Sequence, residues 1–328
     1  MSGHGGTAGT LRRPAGLTAR QLPSYSAVLG LLIVIVLFFS FSAPGFLSSG
    51  NINSLLGSAA IVAVLGLGMT PTIISGGIDL SVASSAVLCA VVCAEVASIA
   101  GTPAGALAAL VCGCVVGAVN GVLISVFGMN AFVITLAGMQ AFRGLARLLV
   151  GDQTMTLEDS DFSNFVNYQL GPLTLPIWLL LILTVLGVLL LRRTYFGRNV
   201  FAIGGNETAA TLAGIPVWRT KLLVYVLSGL CAGIAAIFTV GLNADSASPS
   251  VLVGVELTAA AAVLLGGTSL TGGSGTLVGT VIAAIFFSAL SQGLNLLGIT
   301  ATYWQLIITG LLLVAAVVID RVRAKSEI

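Results

Sequence analysis

The chain has 328 residues, of which 57% are hydrophobic and only 7% are charged, with a net charge of +2. Soluble domains carry about 25% charged residues, so this composition excludes a soluble globular protein and indicates an integral membrane protein. The small net charge also argues against the basic surface that nucleic-acid-binding proteins carry, and we expect no nucleic-acid partner.

The hydropathy pattern predicts an all-α polytopic fold with about ten transmembrane helices, because each span needs roughly 20 apolar residues. The apolar segments cover residues 25–41, 52–75, 80–99, 104–127, 130–150, 173–191, 220–241, 254–267, 277–297 and 302–319. The eighth segment is short for a full span. We therefore predict one transmembrane domain over residues 25–320.

Basic residues predict the orientation of the chain. Eleven of the thirteen Arg and Lys residues lie in three groups: the N-terminal tail, the region from Arg192 to Lys221, and the end after Asp320. Ten spans place all three groups on one side, which the positive-inside rule makes cytoplasmic. We predict cytoplasmic tails at 1–24 and 321–328, a cytoplasmic loop at 192–219, and an acidic periplasmic loop at 151–172 that contains no Arg or Lys.

The loop at 192–219 contains a predicted short helix. A turn at two glycines precedes an N-cap asparagine and an acidic first-turn residue, and a glycine and a proline follow the run TAATLA. These residues are Gly204, Gly205, Asn206, Glu207, Gly214 and Pro216. Such a helix is suited to docking against a partner, and the alternative is a helix that only lies at the membrane interface.

Two glycine-rich stretches interrupt the apolar segments, namely SGGIDLS and LGGTSLTGGSG. Glycine is unfavourable inside a helix, and non-helical backbone at membrane depth must be buried in protein or line a wet cavity. We therefore predict helix breaks or re-entrant turns at Gly76–Gly77 and at Gly266–Gly267. Asp79 either caps the following helix or faces a translocation path, and the two roles are compatible.

Three more polar positions lie within or beside apolar segments. Arg143 and Arg147 share one helix face near the predicted outer end of their span, where extension of the side chains to the interface is the simpler interpretation. Glu256 begins its segment and is a candidate cap.

The five cysteines lie in apolar stretches, where we interpret them as small packing residues.

The sequence contains no catalytic or nucleotide-binding pattern. The run GGTSLTGGSGT lacks the lysine of a phosphate-binding loop, and the single histidine is His4 in the polar tail. We therefore expect a pathway rather than a catalyst, with no metal and no bound cofactor. If ATP drives transport, a partner subunit must bind and hydrolyse it.

Four stretches in order resemble the permease subunit of ribose-type sugar ABC importers, in the superfamily of branched-chain amino-acid permeases. The stretches are SGGIDLSVAS, NAFVITLAGMQAFRGLA, GRNVFAIGGNETAATLAGIPVWRTK and VELTAAAAVLLGGTSLTGGSGTLVGT. The resemblance implies a type II ABC importer-like permease in a bacterial inner membrane. It also implies an ATPase with two fused nucleotide-binding domains, a periplasmic sugar-binding protein, and a second permease subunit that is identical or related.

The resemblance also assigns roles to residues. The segment from Gly204 to Gly214 resembles the coupling region, in which Asn206, Glu207 and Ala210 dock on the ATPase. The residues of the predicted translocation path or gate are Gly76, Gly77, Asp79, Asn120, Arg143, Glu256, Gly266 and Gly267. The chain departs from the family pattern at Ala83, where glycine is frequent, and at Thr211, where arginine is common.

We therefore predict the permease subunit of an ATP-driven monosaccharide importer that works by alternating access around a path at the dimer interface, surrounded by membrane lipid. One alternative is a permease for another small solute, such as a nucleoside, an autoinducer sugar or an amino acid. A stand-alone secondary transporter would need coupling-ion ligands at mid-membrane, and the spans offer no convincing set. A membrane enzyme would need a set of catalytic residues, and the sequence contains no such pattern.

Overall fold

The computed structural model describes residues 25–158, 161–299 and 301–326, and most of these residues are helical. The helices are α1 (Ser26–Ser42), α2 (Ser49–Ile74), α3 (Val82–Ala100), α4 (Thr102–Ser125), α5 (Ala131–Val150), α6 (Phe162–Asn167), α7 (Leu175–Arg193), α8 (Tyr195–Gly205), α9 (Glu207–Leu212), α10 (Val217–Leu242), α11 (Val255–Leu265), α12 (Leu277–Leu296) and α13 (Ala301–Ser326). The strands are β1 (Met155–Thr156), β2 (Gln169–Leu170), β3 (Leu173–Thr174) and β4 (Ser246–Ala247).

Seven helices in the described part of the chain are long and apolar enough to cross a membrane, namely α2, α3, α4, α5, α7, α10 and α12. Three shorter apolar helices are Ser26–Ser42, Val255–Leu265 and Leu306–Ala315, the last of these within α13. The ten predicted apolar segments coincide with these ten helices. The short eighth segment is confirmed, since α11 has 11 residues.

The helices that pack at the centre of the bundle are α2, α3, α10 and α12. About two thirds or more of the apolar part of each is buried, from 67% to 72%, whereas the corresponding share of α5 and α7 is 22%. The central helices therefore contact other helices on most sides. The helices α5 and α7 leave most of their apolar surface for lipid or a partner subunit.

The closest contact between two long helices joins α4 and α10 through glycines. Gly113, Gly117 and Gly121 follow one another at four-residue spacing on α4. A Cβ atom at Gly113 would collide with the carbonyl of Gly229, and one at Gly117 would collide with the carbonyl of Tyr225. Small residues drive helix association in membranes because they allow backbones to approach. The small residues of α4 and α10 therefore have a packing role.

The loops divide between two opposite ends of α10. Helices α8 and α9 lie near its start, at what we call the inner end. Strands β1 and β4 pair antiparallel after its last turn, with Met155 opposite Ala247, and with α6 they mark what we call the outer end. The sequence did not predict these strands, which are only two residues long, or α6.

The structure corrects one predicted turn and shows how far the last helix extends. The predicted turn at Gly204–Gly205 is wrong, because α8 continues through both glycines and only Asn206 separates it from α9. The predicted C-terminal tail at 321–328 begins inside α13, which extends to Ser326. The predicted N-terminal tail at 1–24 lies outside the described residues.

We predict that Gly117→Ala destabilises the protein by about 1–3 kcal/mol, because the added Cβ has no room against the backbone of α10. The matched control is Gly144→Ala in α5, where a Cβ would meet nothing within 4 Å and alanine favours the helix by about 1 kcal/mol. Thermal unfolding of the purified chains in one detergent measures both. Equal melting temperatures would show that the contact between α4 and α10 is not tight.

Candidate functional site

The short helix α9 at the inner end has a defined start and a defined end. The side-chain oxygen of Asn206 accepts a hydrogen bond from the amide of Ala209 at 2.9 Å, as an N-cap does. Gly214, with φ of +79°, follows the helix, and its amide donates to the carbonyl of Thr211 at 3.0 Å. The predicted cap at Asn206 and the predicted stop at Gly214 are confirmed.

The exposed side of α9 differs from the predicted one. Ala210 is only 4% exposed, so its side chain faces the rest of this chain and is not available to a partner. That part of the expected docking surface is therefore corrected. Leu212 is 85% exposed, and Glu207 and Thr211 also lie on the accessible side.

An ion pair ties α9 to the first turns of α10. Lys221 Nζ lies 2.7 Å from Glu207 Oε2, with 18% of the lysine side chain and 53% of the glutamate side chain exposed. Because the lysine is largely buried, this pair is screened less than a pair on an open surface. The ion pair gives α9 a direct contact with a long central helix.

Three backbone segments meet beside α9 in what we call the inner junction, which consists of Ile74, Gly204, Gly272 and Gly273. The amide of Gly273 donates to the carbonyl of Ile74 at 2.9 Å. A Cβ at Gly204 would collide with that same carbonyl and lie 2.5 Å from the amide nitrogen of Gly273. Glycine at 204 therefore lets the end of α8 rest directly on the backbone of α2 and of the loop after α11.

The first predicted helix break follows α2. Gly76 has φ of +82°, and its amide donates to the carbonyl of Ile73 at 2.9 Å. The amide of Gly77 donates to the carbonyl of Thr72 at 2.9 Å. This pair of bonds is the Schellman arrangement, which satisfies the last carbonyls of a helix. A Cβ at Gly77 would also lie 2.5 Å from the hydroxyl of Tyr225. Glycine is therefore required at position 76 by its positive φ and at position 77 by this close contact.

The second predicted break, after α11, closes in the same way. Gly267 has φ of +96°, and its amide donates to the carbonyl of Leu264 at 3.0 Å. A Cβ at Gly266 would lie 2.5 Å from the amide nitrogen of Thr280, so the end of α11 packs against the backbone of α12. Both glycine-rich stretches are therefore helix breaks, as predicted, and both lie toward the inner end.

Asp79 is buried at the centre of a polar network. It is 3% exposed. Its Oδ1 accepts from the Ser81 amide at 3.0 Å and the Ser81 hydroxyl at 2.6 Å, and its Oδ2 accepts from the Ser228 hydroxyl at 2.7 Å. The Asn120 amide donates to the Ser81 hydroxyl at 2.8 Å. Helix α3 begins at Val82 with Ser81 as its N-cap and without a side-chain cap, so Asp79 lies before the helix and does not cap it as predicted.

The network favours the structural role of Asp79, because both carboxylate oxygens have donors and the group is out of contact with solvent. It joins the loop after α2 to α4 and α10. Two further side chains hold this loop, since the hydroxyls of Tyr225 and Thr135 donate to the carbonyl of Ile78 at 3.3 and 3.4 Å. The role of Asp79 in a path or gate stays a prediction.

The structure separates the predicted path residues into two groups. Asp79, Asn120 and the four glycines lie toward the inner end, whereas Arg143 and Glu256 lie at the outer end. Arg143 Nη1 donates to the carbonyls of Pro249 and Val251 at 3.3 and 3.1 Å. This arginine therefore holds the loop before α11 instead of simply extending to the interface.

Glu256 lies in the first turn of α11, but the predicted cap is not formed, because Gly254 is the N-cap residue and no side chain of the described residues caps this helix. Its Oε2 is buried and has no hydrogen-bond partner among the described residues. Arg147 Nε lies 3.3 Å from Asp152 Oδ1. Both side chains are exposed, so solvent screening leaves this ion pair with little effect on stability.

Residues 51–317 match a family described as "Branched-chain amino acid transport system / permease component". The chain belongs to this family. It is therefore a transport subunit and not an enzyme, and its seven helices of spanning length make it a multi-pass membrane protein.

Individual relatives cover nearly the whole permease. The ribose import permease protein of Bacillus subtilis is 40% identical over 295 residues, which are 88% of this chain and 90% of the relative. The L-arabinose transport system permease protein of Escherichia coli is 37% identical over 303 residues, 91% and 92% of the two chains. The ribose import permease protein of Escherichia coli is 37% identical over 309 residues, 92% and 95% of the two chains. No solved structure matches the permease.

We predict that Ser228→Ala destabilises the permease by about 1–3 kcal/mol, because it leaves one oxygen of the buried Asp79 without a donor. The matched control is Ser84→Ala on α3, since the buried Ser84 hydroxyl has no hydrogen-bond partner among the described residues and its removal should be neutral or stabilising. Unfolding midpoints in one detergent measure both changes. A loss at Ser84 equal to the loss at Ser228 would contradict a specific role for the network.

Proposed function

We propose that this permease is the membrane-spanning subunit of an ATP-driven importer for a neutral monosaccharide such as ribose or arabinose. The observation that carries this proposal is the similarity to ribose and L-arabinose permeases over about nine tenths of the chain. The sugar is delivered by a periplasmic binding protein, and the permease provides a route across the bacterial inner membrane.

The proposed topology has ten spans, formed by the seven long helices and the three shorter apolar ones. Both termini and the segment with α8 and α9 then face the cytoplasm. The arginines and lysines around α8 and α9 support this orientation, as do the acidic residues of the 151–172 loop, which has no basic ones.

The proposed motor is a separate ATPase with two fused nucleotide-binding domains, which binds all the ATP that the transporter uses. It docks on the accessible side of α9, where Leu212 and Glu207 are exposed. A second permease subunit, identical or related, completes the membrane part, with the translocation path at the interface between the two. The apolar surfaces of α5 and α7 are then shared between lipid and this subunit.

The contacts of α9 support a route for transmission. Closure of the ATPase displaces α9, and the ion pair between Glu207 and Lys221 passes the displacement to α10. The contact of Gly204 with Ile74 passes it to the end of α2, and Gly273 passes it to the loop after α11. Because Gly204, Ile74 and Gly273 meet through their backbones, and Lys221 is only 18% exposed, these contacts join the α8–α9 segment closely to the long helices.

The test is uptake by the complete transporter in proteoliposomes that contain the permease, its ATPase and the binding protein. We expect ATP-dependent uptake of D-ribose or L-arabinose and none of L-leucine. The family description favours an amino acid as the second candidate, and uptake of leucine in place of either sugar would establish it. Uptake by the permease alone, without ATP, would instead identify a secondary transporter.

We predict that Glu207→Arg lowers ATP-dependent uptake roughly tenfold or more, because the reversed charge breaks the ion pair and repels Lys221, which is only 18% exposed, and a tenfold loss corresponds to about 1.4 kcal/mol. Co-purification of the ATPase with this variant separates the two proposed roles of Glu207, because loss of docking removes the ATPase, whereas loss of the ion pair alone leaves it bound. The double variant Glu207→Arg with Lys221→Glu restores opposite charges and should recover uptake. Failure of the double variant to recover any uptake would show that the ion pair is not the transmitting contact.

A further inference from the structure

A cavity of about 420 Å³ lies at the outer end of a single protomer, between α2, α10, α11 and α12. It is lined by residues of the outer turns of α2, α10 and α12 and the first turns of α11. Its volume is within the range of roughly 300–1,000 Å³ that small-molecule sites occupy. It is distinct from the path expected between two permease subunits, because all its walls come from one chain.

The lining of this outer cavity is uncharged and about half polar. Each of the four helices contributes at least one hydroxyl or amide side chain, and the lining residues include no Asp, Glu, Lys or Arg. The polar residues used below are Ser58, Thr239, Asn243, Thr258, Ser288 and Gln292. Alternating hydroxyl, amide and apolar groups suit a neutral solute that carries many hydroxyls.

Several of these groups have hydrogen-bonding capacity left over. The Asn243 amide nitrogen donates to the Thr239 carbonyl at 2.7 Å, and the Gln292 amide nitrogen donates to the Asn51 side-chain oxygen at 2.8 Å. Within the described part of the chain, the side-chain oxygens of Asn243 and Gln292 accept no hydrogen bond. The hydroxyl of Ser288 has no partner there either. Two fixed acceptors and one free hydroxyl therefore line the same space.

We propose that this outer cavity is a binding site for a neutral monosaccharide within one protomer of the permease, beside the path between the two subunits. The inference rests on the proposed function and adds a location and a chemical basis for solute choice. Sugar hydroxyls donate to the two amide oxygens and exchange hydrogen bonds with the serine hydroxyls. A zwitterionic amino acid is rejected, because its ammonium and carboxylate would lose water without meeting an opposite charge.

Arg143 gives the cavity a fixed outer wall. Its two hydrogen bonds hold the carbonyls of Pro249 and Val251, and Val251 lines the cavity. Leu252 and Val255 continue this wall into α11. The guanidinium thus positions the loop at the cavity without supplying a charge among its lining residues.

The test compares two single-cysteine additions on α2 in the full-length permease–ATPase complex, reconstituted in proteoliposomes without nucleotide. Ser58 is exposed and lines the cavity, whereas Ser54 is exposed one turn away and does not line it. Ser58→Cys and Ser54→Cys are labelled with a charged methanethiosulfonate reagent, and the wild-type complex with its five cysteines gives the background. The probes are D-ribose, L-arabinose and L-leucine.

We expect at least one of the two sugars to slow the labelling of Ser58→Cys and to leave that of Ser54→Cys unchanged. For a dissociation constant of about 10 mM, a concentration of about 100 mM slows labelling roughly tenfold, as the factor 1 + [L]/Kd requires. L-Leucine at the same concentration should have no effect. Equal labelling with and without both sugars, or protection by leucine as strong as by sugar, would overturn the proposal.

Labelling does not require transport, so the two proposals fail in different ways. Sugar uptake by the wild-type transporter with no protection of Ser58→Cys would overturn this binding site and leave the importer function intact. Protection by sugar without ATP-dependent sugar uptake would support the cavity as a sugar site and contradict the importer function.

Discussion

The hydrogen bond from the Gly273 amide to the Ile74 carbonyl is the contact on which the inner end of the molecule depends. It lies where two broken helices stop inside an otherwise apolar chain, and an unpaired backbone group in lipid costs several kcal/mol. The end of α2 and the loop after α11 lie together, so that these backbone groups form a hydrogen bond with each other. Gly204 then allows α8 to sit on the same backbone atoms. A side chain at position 204 would separate all three segments.

The buried carboxylate of Asp79 makes the adjoining turn rigid by a different means. No Lys or Arg is among its partners, which are one amide and two hydroxyls, all donors with fixed positions. A network of this kind is specific because each missing donor leaves a buried oxygen unsatisfied. The turn between α2 and α3 is thereby held to α4 through Asn120 and to α10 through Ser228 and Tyr225. The turn therefore follows α10 when α10 moves.

The sequence predicted those features that depend on neighbours within about four residues. Asn206 and Gly214 could be interpreted as the limits of α9 because a cap bonds within its own turn. Gly76 and Gly267 could be interpreted as breaks for the same reason. The helical state of Gly204 was missed, since its cause is contact with Ile74 and Gly273, far away in the chain. Ser228 was missed as well, because it lies 149 residues from Asp79 in a run of small residues that gives no signal.

The same two helices that meet α8 and α9 at the inner end also line the outer cavity. Helix α2 contacts Gly204 at Ile74 and the cavity at Ser58, about 24 Å apart along the helix axis at 1.5 Å per residue. Helix α10 contacts Glu207 at Lys221 and the cavity at Thr239, about 27 Å apart. A helix transmits an axial displacement over such lengths with little loss, because its side chains are close-packed on several sides. A shift of α2 against α10 at the inner end therefore changes the distance between two walls of the outer cavity, without any charged residue or flexible loop between them. This is a physical reason why small residues pack along α4 and α10 while the side chains of Ser228 and Lys221 hold α10 to Asp79 and Glu207.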